Sequence, residues 1–144
     1  MRPGFVGHVE ALHAEQRRRC WRGGWHGVEH RQIPVRGRWA TPGCFIAAVG
    51  SSLPNTRELD DRAVARASLV AVEWREQGLR EAGDLVLADP AALPRSKIVE
   101  LGEILAGKAR GRTGEDEITI YKSVGVGLQD IALAGLAYRR IVGG

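Results

Sequence analysis

At 144 residues, 44% apolar and 26% charged, the chain has the length and balance of one soluble globular domain with a single core. No apolar run approaches the ~20 residues of a membrane span. The N-terminus lacks the apolar stretch of a secretory signal, and two cysteines are too few for a disulfide framework, so a reduced, cytoplasmic protein is expected.

The net charge of +4 is unevenly placed: residues 1–40 hold eight arginines and three glutamates, whereas residues 41–144 hold 13 basic and 14 acidic side chains. All four histidines and three of the four tryptophans also fall in the first 40 residues, so the composition shifts near Trp39. Such an asymmetry speaks against a uniformly basic nucleic-acid-binding surface.

In chain order, "GHVEALHAEQRRR" puts Val9, Leu12 and Ala11 on one face and predicts a helix over about 8–18. "CWRGGWHGVEH" has three glycines and no period, so it reads as irregular. "RQIPV" suits a short edge strand, because Pro34 cannot donate to a ladder. "RGRWATPG" is a turn-rich connector. "CFIAAVG" is a continuous apolar run, the pattern of a strand covered on both faces.

"RELDDRAVARA" predicts a helix with Asn55 or Thr56 as its N-cap, and "SLVAVEW" a second buried strand. "REQGLREAGDL" is expected to be helical up to Gly83, and "SKIVELGEILAG" helical up to Gly107. "DEITIYKS" alternates as a strand does. "VGLQDIALAGLAYRRI" is a long amphipathic helix with Leu128, Ile131, Leu133, Leu136 and Tyr138 mostly to one side. Strands alternating with helices from Cys44 onward point to an α/β fold with a parallel sheet.

Three motifs resemble chemistry that their context does not support. "HGVEH", His26 to His30, has the spacing of a zinc-peptidase motif, but Gly23, Gly24 and Gly27 undermine the helix that would align both imidazoles, so no metal site is expected. "GEILAGKA" nearly spells a phosphate-binding loop, yet Ala109 replaces the magnesium-holding hydroxyl and the first glycine reads as part of an apolar helical pattern rather than as following a strand. A helix ended by Gly107 explains the same letters. "SVGVG" is half of a dinucleotide fingerprint, with Asp130 where the third glycine belongs. The run containing Arg17, Arg18, Arg19 and Arg22 reads as a solvated face rather than a phosphate-binding patch.

Read together, "RGRWATPGCFIAAVGSSLPNTRELDD", "ASLVAVEWREQGLREAGDL", "IVELGEILAGKARGRT" and "DEITIYKSVGVGLQDIALAGLAYRRI" resemble the ornithine cyclodeaminase/mu-crystallin family over about residues 36–142. The resemblance implies a dimeric NAD(P)-binding protein. It divides the chain into an atypical segment 1–36, a partial Rossmann-type NAD(P)-binding domain 37–125 with parallel strands, and a C-terminal helix 126–144 belonging to a dimerisation domain. Small residues at the carboxyl end of such a sheet let a cofactor approach. The resemblance implies that Val49, Gly50, Ser51, Thr56 and Val124 contact NAD or NADP, and that Gly125 meets the substrate.

The resemblance also places Ser52 where cyclodeaminases carry a proton-moving aspartate. A serine there is no carboxylate base near neutral pH. The implied activity is therefore reduction of a ketimine of the pyrroline-2-carboxylate type, with Ser52 as the catalytic hydroxyl. The alternatives are ornithine cyclodeaminase, or a non-catalytic fragment, since no full glycine fingerprint or substrate-gripping segment is evident. As a bland reading, Ser52 is a loop serine at a helix start. The expected partners are a small cyclic imino acid or amino acid and a second copy of the chain, with no nucleic acid and no membrane.

Overall fold

The structure is a computed structural model and describes residues 35–143. The expected helix over 8–18, the irregular stretch, the "HGVEH" pattern, the arginine run and all but the last residue of "RQIPV" lie outside the described residues. Four strands form one parallel sheet: β1 Phe45–Ala48, β2 Leu69–Val72, β3 Ile98–Glu100 and β4 Thr119–Lys122, in the order β1-β4-β2-β3. Parallel neighbours need crossovers. Helices α1 Asp61–Arg66, α2 Arg75–Glu81, α3 Gly83–Val86 and α4 Leu101–Leu105 lie in them, and α5 Gly127–Val142 follows β4. This is the α/β class expected from the alternation of strands and helices.

Register determines what the sheet buries. Ile46, Ile120, Val70 and Ile98 form one cross-strand row, and Ala48, Lys122, Val72 and Glu100 form the last. Both rows share a face. That face carries the core, together with Leu59, Ala63, Val64, Ala82 and Leu85 from the connections. The opposite face is only partly covered: Phe45 is 46% exposed and Ala47 is exposed, while Leu69 and Ala71 are buried. The expectation that "CFIAAVG" is covered on both faces is therefore corrected for β1, whose burial alternates, and fits β2, which is buried throughout.

Two element boundaries also differ from expectation. The N-cap of α1 is Asp60, whose side chain accepts from Ala63 N, not Asn55 or Thr56. Leu59 pairs with Val35 in a parallel bridge immediately before Asp60, so the helix cannot start earlier. Asp60 Oδ1 also accepts from Gly37 N at 2.8 Å, and Arg66 Nη1 donates to Gly37 O and Ala40 O at 2.5 and 2.7 Å. The single helix expected over "SKIVELGEILAG" is instead a 3-10 turn at Arg95–Lys97, strand β3 and the short α4. Glu100 and Glu103 form a capping box at the junction, and both also bind Arg75.

"REQGLREAGDL" breaks at Ala82, and Gly83 opens α3 rather than ending a helix. Gly107 ends the helical stretch with φ +70°, the left-handed conformation that glycine adopts freely. Among the described residues, no helix is long and apolar enough to cross a membrane.

Candidate active site at the carboxyl edge of the sheet

The four strands end together, and β1 and β4 are direct neighbours with Ala48 opposite Lys122. The segments that follow them must therefore leave the sheet side by side. Ser123 N donates to Ala48 O at 3.0 Å and extends the pairing by one step. The loop Val49–Thr56 and the segment Ser123–Gly125, far apart in sequence, are thereby brought to the same edge of the sheet. All seven expected site residues lie on it.

Their exposures divide them. Val49, Gly50, Ser52 and Gly125 are exposed, Thr56 and Val124 are half-buried, and Ser51 is buried. Ser51 Oγ donates to Thr56 O at 2.9 Å and lies 2.6 Å from Thr56 Oγ1, which reaches Leu53 O at 3.1 Å. These two hydroxyls close the loop on itself as a tight polar knot. Ser52 Oγ, by contrast, bonds to no described residue and faces solvent. Gly125 has φ +82° and open space where a Cβ would stand, and its carbonyl accepts from Gln77 Nε2 at 3.2 Å. A flat group can thus approach the backbone at Gly125.

Beneath the loop lies a buried charge cluster that the sequence reading did not single out. Lys122 Nζ donates to Ser51 O at 2.5 Å and to Glu58 Oε2 at 2.9 Å. It also stands 2.9 Å from Asp84 Oδ2, at an angle that makes this a charge contact rather than a directed hydrogen bond. The other oxygens face outward along the loop: Glu58 Oε1 accepts from Gly50 N at 2.9 Å, and Asp84 Oδ1 from Glu58 N and Leu59 N at 2.7 and 2.8 Å. Alternation in "ITIYKS" puts Lys122 on the face of Ile120, which is the signal that reveals a buried lysine.

On the opposite face, Tyr121 sits between Ala47 and Ala71 in register and donates its hydroxyl to Glu73 Oε1 at 2.9 Å. Burial, and then the Glu73 carboxylate, push this phenol above its ordinary value. Both Glu58 and Glu73 are therefore already engaged. No carboxylate within the Val49–Thr56 loop stands free at Ser52.

As a dinucleotide site, this surface is half complete among the described residues. The exposed glycines and Ser52 leave the backbone at this edge open to close approach. The diphosphate end needs a glycine-rich turn from a strand into a helix N-terminus. Among the described residues only "SVGVG", leading from β4 into α5, approaches that pattern. No cluster of metal-ligating side chains occurs among the described residues. A cleft of about 340 Å3 lined by Ser68, Ser96, Arg110 and Thr113 lies toward the amino end of the strands and involves none of these groups.

An all-parallel four-stranded sheet with helices in its crossovers defines an α/β domain. The chain belongs to the ornithine cyclodeaminase/mu-crystallin family, whose sequence pattern matches residues 30–144. A Δ1-pyrroline-2-carboxylate reductase of Bacillus cereus is 39% identical over 111 residues, covering 76% of this chain and 34% of that protein. A probable ornithine cyclodeaminase from Bordetella pertussis superposes with a TM-score of 0.72 at 56% identity, covering 79% of this chain and 37% of that one. The Thermococcus litoralis Δ1-pyrroline-2-carboxylate reductase, in complex with NADH and L-proline, gives a TM-score of 0.71 at 35% identity, with coverage of 78% and 35%. The chain thus spans about a third of the length of these relatives.

Proposed function

We propose that this chain carries the nicotinamide-facing part of an NAD(P)H-dependent ketimine reductase acting on pyrroline-2-carboxylate or a similar cyclic imine. The observation that carries the reading is the setting of Ser52: an exposed hydroxyl in a loop, Val49–Thr56, that holds no carboxylate, while Glu58 and Asp84 just beyond it are engaged with Lys122. Cyclodeamination of an amino acid needs a carboxylate to move protons at the α-amino group, and this loop offers none. Reduction of a C=N bond makes a smaller demand. When bound, NADH or NADPH would supply the hydride for the imine carbon, and one proton on the nitrogen would complete a secondary amine and leave oxidised cofactor.

The chain's own residues position and protonate. Val49 and Gly50, both exposed, would hold the nicotinamide side of the cofactor, since backbone and one short side chain leave room for a close approach. The Ser51–Thr56 knot holds the loop with Ser52 exposed, and its hydroxyl would relay a proton from water to the imine nitrogen. Val124 supplies an apolar wall, and Gly125 leaves room for the ring of the substrate. A Rossmann-type placement of the cofactor accounts for why all of these lie beyond the carboxyl ends of β1 and β4.

The test is titration of the chain with NADH and NADPH, followed by energy transfer from Trp74, which is 49% exposed at the end of β2. It is paired with cofactor oxidation on adding pyrroline-2-carboxylate, using the Bacillus cereus reductase as positive control. Micromolar binding with imine-dependent oxidation supports the reading. Binding with ammonia release from ornithine instead assigns a cyclodeaminase, and absence of binding assigns a chain without catalytic function of its own.

A further inference from the structure

Lys122 is wholly buried on the face of the sheet that carries the core, and apolar packing alone does not explain it. Its register neighbours are Ala48 and Val72, and its row continues Ile120 on the core face. A branched aliphatic residue would fill that position without desolvating a cation. Buried ion clusters are weak sources of stability, because desolvation offsets most of the attraction. What the ammonium does that an aliphatic side chain cannot is bind backbone at a distance from its own strand. It takes the carbonyl of Ser51 directly. Through Glu58, which divides its two oxygens between Nζ and Gly50 N, it also takes the amide just before.

The geometry around Gly50 makes the arrangement restrictive. A Cβ at Gly50 would stand 2.6 Å from Glu58 Oε1, so the carboxylate packs directly against the glycine backbone. Asp84 closes the far side by accepting from the amides of Glu58 and Leu59, which keeps the Glu58 side chain aimed at Lys122. Lys122 is also the residue immediately before Ser123–Gly125. One side chain therefore anchors the loop after β1 while its own backbone begins the segment after β4.

We propose that Lys122 is the positioning residue of the candidate active site, fixing the loop Gly50–Ser52 relative to Ser123–Gly125 through Ser51 O and Glu58. The proposal rests on the reductase reading only for its consequence on cofactor binding; the structural claim stands apart from it.

The test uses the double substitution Lys122→Met with Glu58→Gln in the full chain. It removes one positive and one negative charge together, leaves Asp84 with its two amide donors, and keeps an amide oxygen for Gly50 N. Amide exchange at Gly50 and Thr56 is compared with exchange at Ile120, alongside NADH affinity. The expected result is a tenfold or greater loss of protection at Gly50 and Thr56 with Ile120 unchanged, and NADH binding weakened at least tenfold. Unchanged protection at Gly50 and Thr56 overturns the proposal. If the double variant does not fold, Lys122→Met with Asp84→Asn, which keeps Glu58 on Gly50 N and an amide oxygen for Glu58 N and Leu59 N, carries the same exchange measurement with the same two outcomes. Should the unaltered chain not bind NADH, the cofactor reading fails while the exchange result still decides the role of Lys122.

Discussion

Lys122 Nζ and Asp84 Oδ2 stand 2.9 Å apart, both side chains wholly buried, one from the last residue of β4 and the other from the first turn of α3. Breaking such a pair by deleting one partner leaves a charge in the core with reduced compensation, which costs roughly 3–5 kcal/mol in comparable cases. Here Asp84 also holds two backbone amides, so Asp84→Ala loses those as well. Asp84→Ala is expected to lower unfolding free energy by about 3 kcal/mol or more, read from denaturant midpoints at constant slope. A loss below about 1 kcal/mol would show that water reaches the cluster and replaces the carboxylate.

Gly83 marks where α3 meets the site loop. A Cβ there would stand 1.9 Å from Thr56 O and 2.8 Å from Leu53 O, and Gly83 N donates to Leu53 O at 3.2 Å. Both obstacles are backbone, so no side-chain rotation relieves them. Gly83→Ala must therefore push the loop that contains Ser51 and Thr56. It is expected to destabilise by roughly 1–3 kcal/mol, as overpacking does, and to weaken NADH binding in the same variant. Gly102→Ala, where no atom lies within 4 Å of the added methyl, is the control and should be neutral or slightly stabilising.

Ser52 separates stability from chemistry. It is exposed and its hydroxyl bonds to no described residue, so Ser52→Ala should change stability by no more than about 0.5 kcal/mol. If Ser52 relays the proton to the imine nitrogen, the same substitution should reduce imine-dependent NADH oxidation by on the order of 100-fold, the low end for general acid–base groups. Ser52→Asp tests the other branch of the family by restoring a carboxylate. Ammonia release from ornithine by that variant, absent from the unaltered chain, would show that this single position sets the reaction.

How far the sequence reveals this site depends on which physical signal each residue carries. The end of β1 is legible, because a strand that stops at glycine and small hydroxyls has a recognisable edge, whereas Val49 to Thr56 and Val124 to Gly125 are singled out as contacts only by the family resemblance. Strand β3 is not legible: "IVE" is three residues long and joins α4 without a turn, so Ile98, Leu101 and Leu105 read as one helical stripe. The cap of α1 is misread for a different reason. Asn55, Thr56 and Asp60 are all good caps, and only the tertiary bridge from Leu59 to Val35 chooses among them. Glu58 and Asp84 look like surface acids until the fold brings them to Lys122.

Tyr121 gives a pH dependence. Burial, and then Glu73, raise its folded-state value above that of an unfolded tyrosine near 10. Folding therefore favours the protonated phenol. Its contribution is fully present below about pH 10 and is lost as pH rises through the higher folded value. Stability of the unaltered chain should fall in that alkaline window, and Tyr121→Phe should flatten the fall while leaving neutral-pH behaviour little changed. Absorbance titration at the phenolate band supplies the folded value directly. An unshifted transition for Tyr121 would mean that Glu73 does not hold the hydroxyl in solution.

The final prediction concerns α5. None of its described side chains is buried, and Leu128, Ile131, Leu133 and Tyr138 are each 66–71% exposed, with Ile141 at 82%. Its amphipathic pattern, expected from "DIALAGLAY", is thus real as a helix but unsatisfied as a packing surface. Sixteen helical residues with apolar groups this exposed form a patch of the kind that finds a partner or aggregates. An isolated helix of this length is also marginal in water unless its apolar face is covered. We expect the chain to self-associate through α5, with Leu133, Leu136 and Tyr138 in the contact, in keeping with a homodimer. Light scattering across a dilution series should show mass above 15.7 kDa that falls on dilution. Leu136→Asp should shift the chain toward monomer and lower the helical signal together, because contact and helix stabilise each other. A 15.7 kDa species at every concentration, with helicity unchanged by Leu136→Asp, would mean that α5 stands alone and that its apolar face plays no part in assembly.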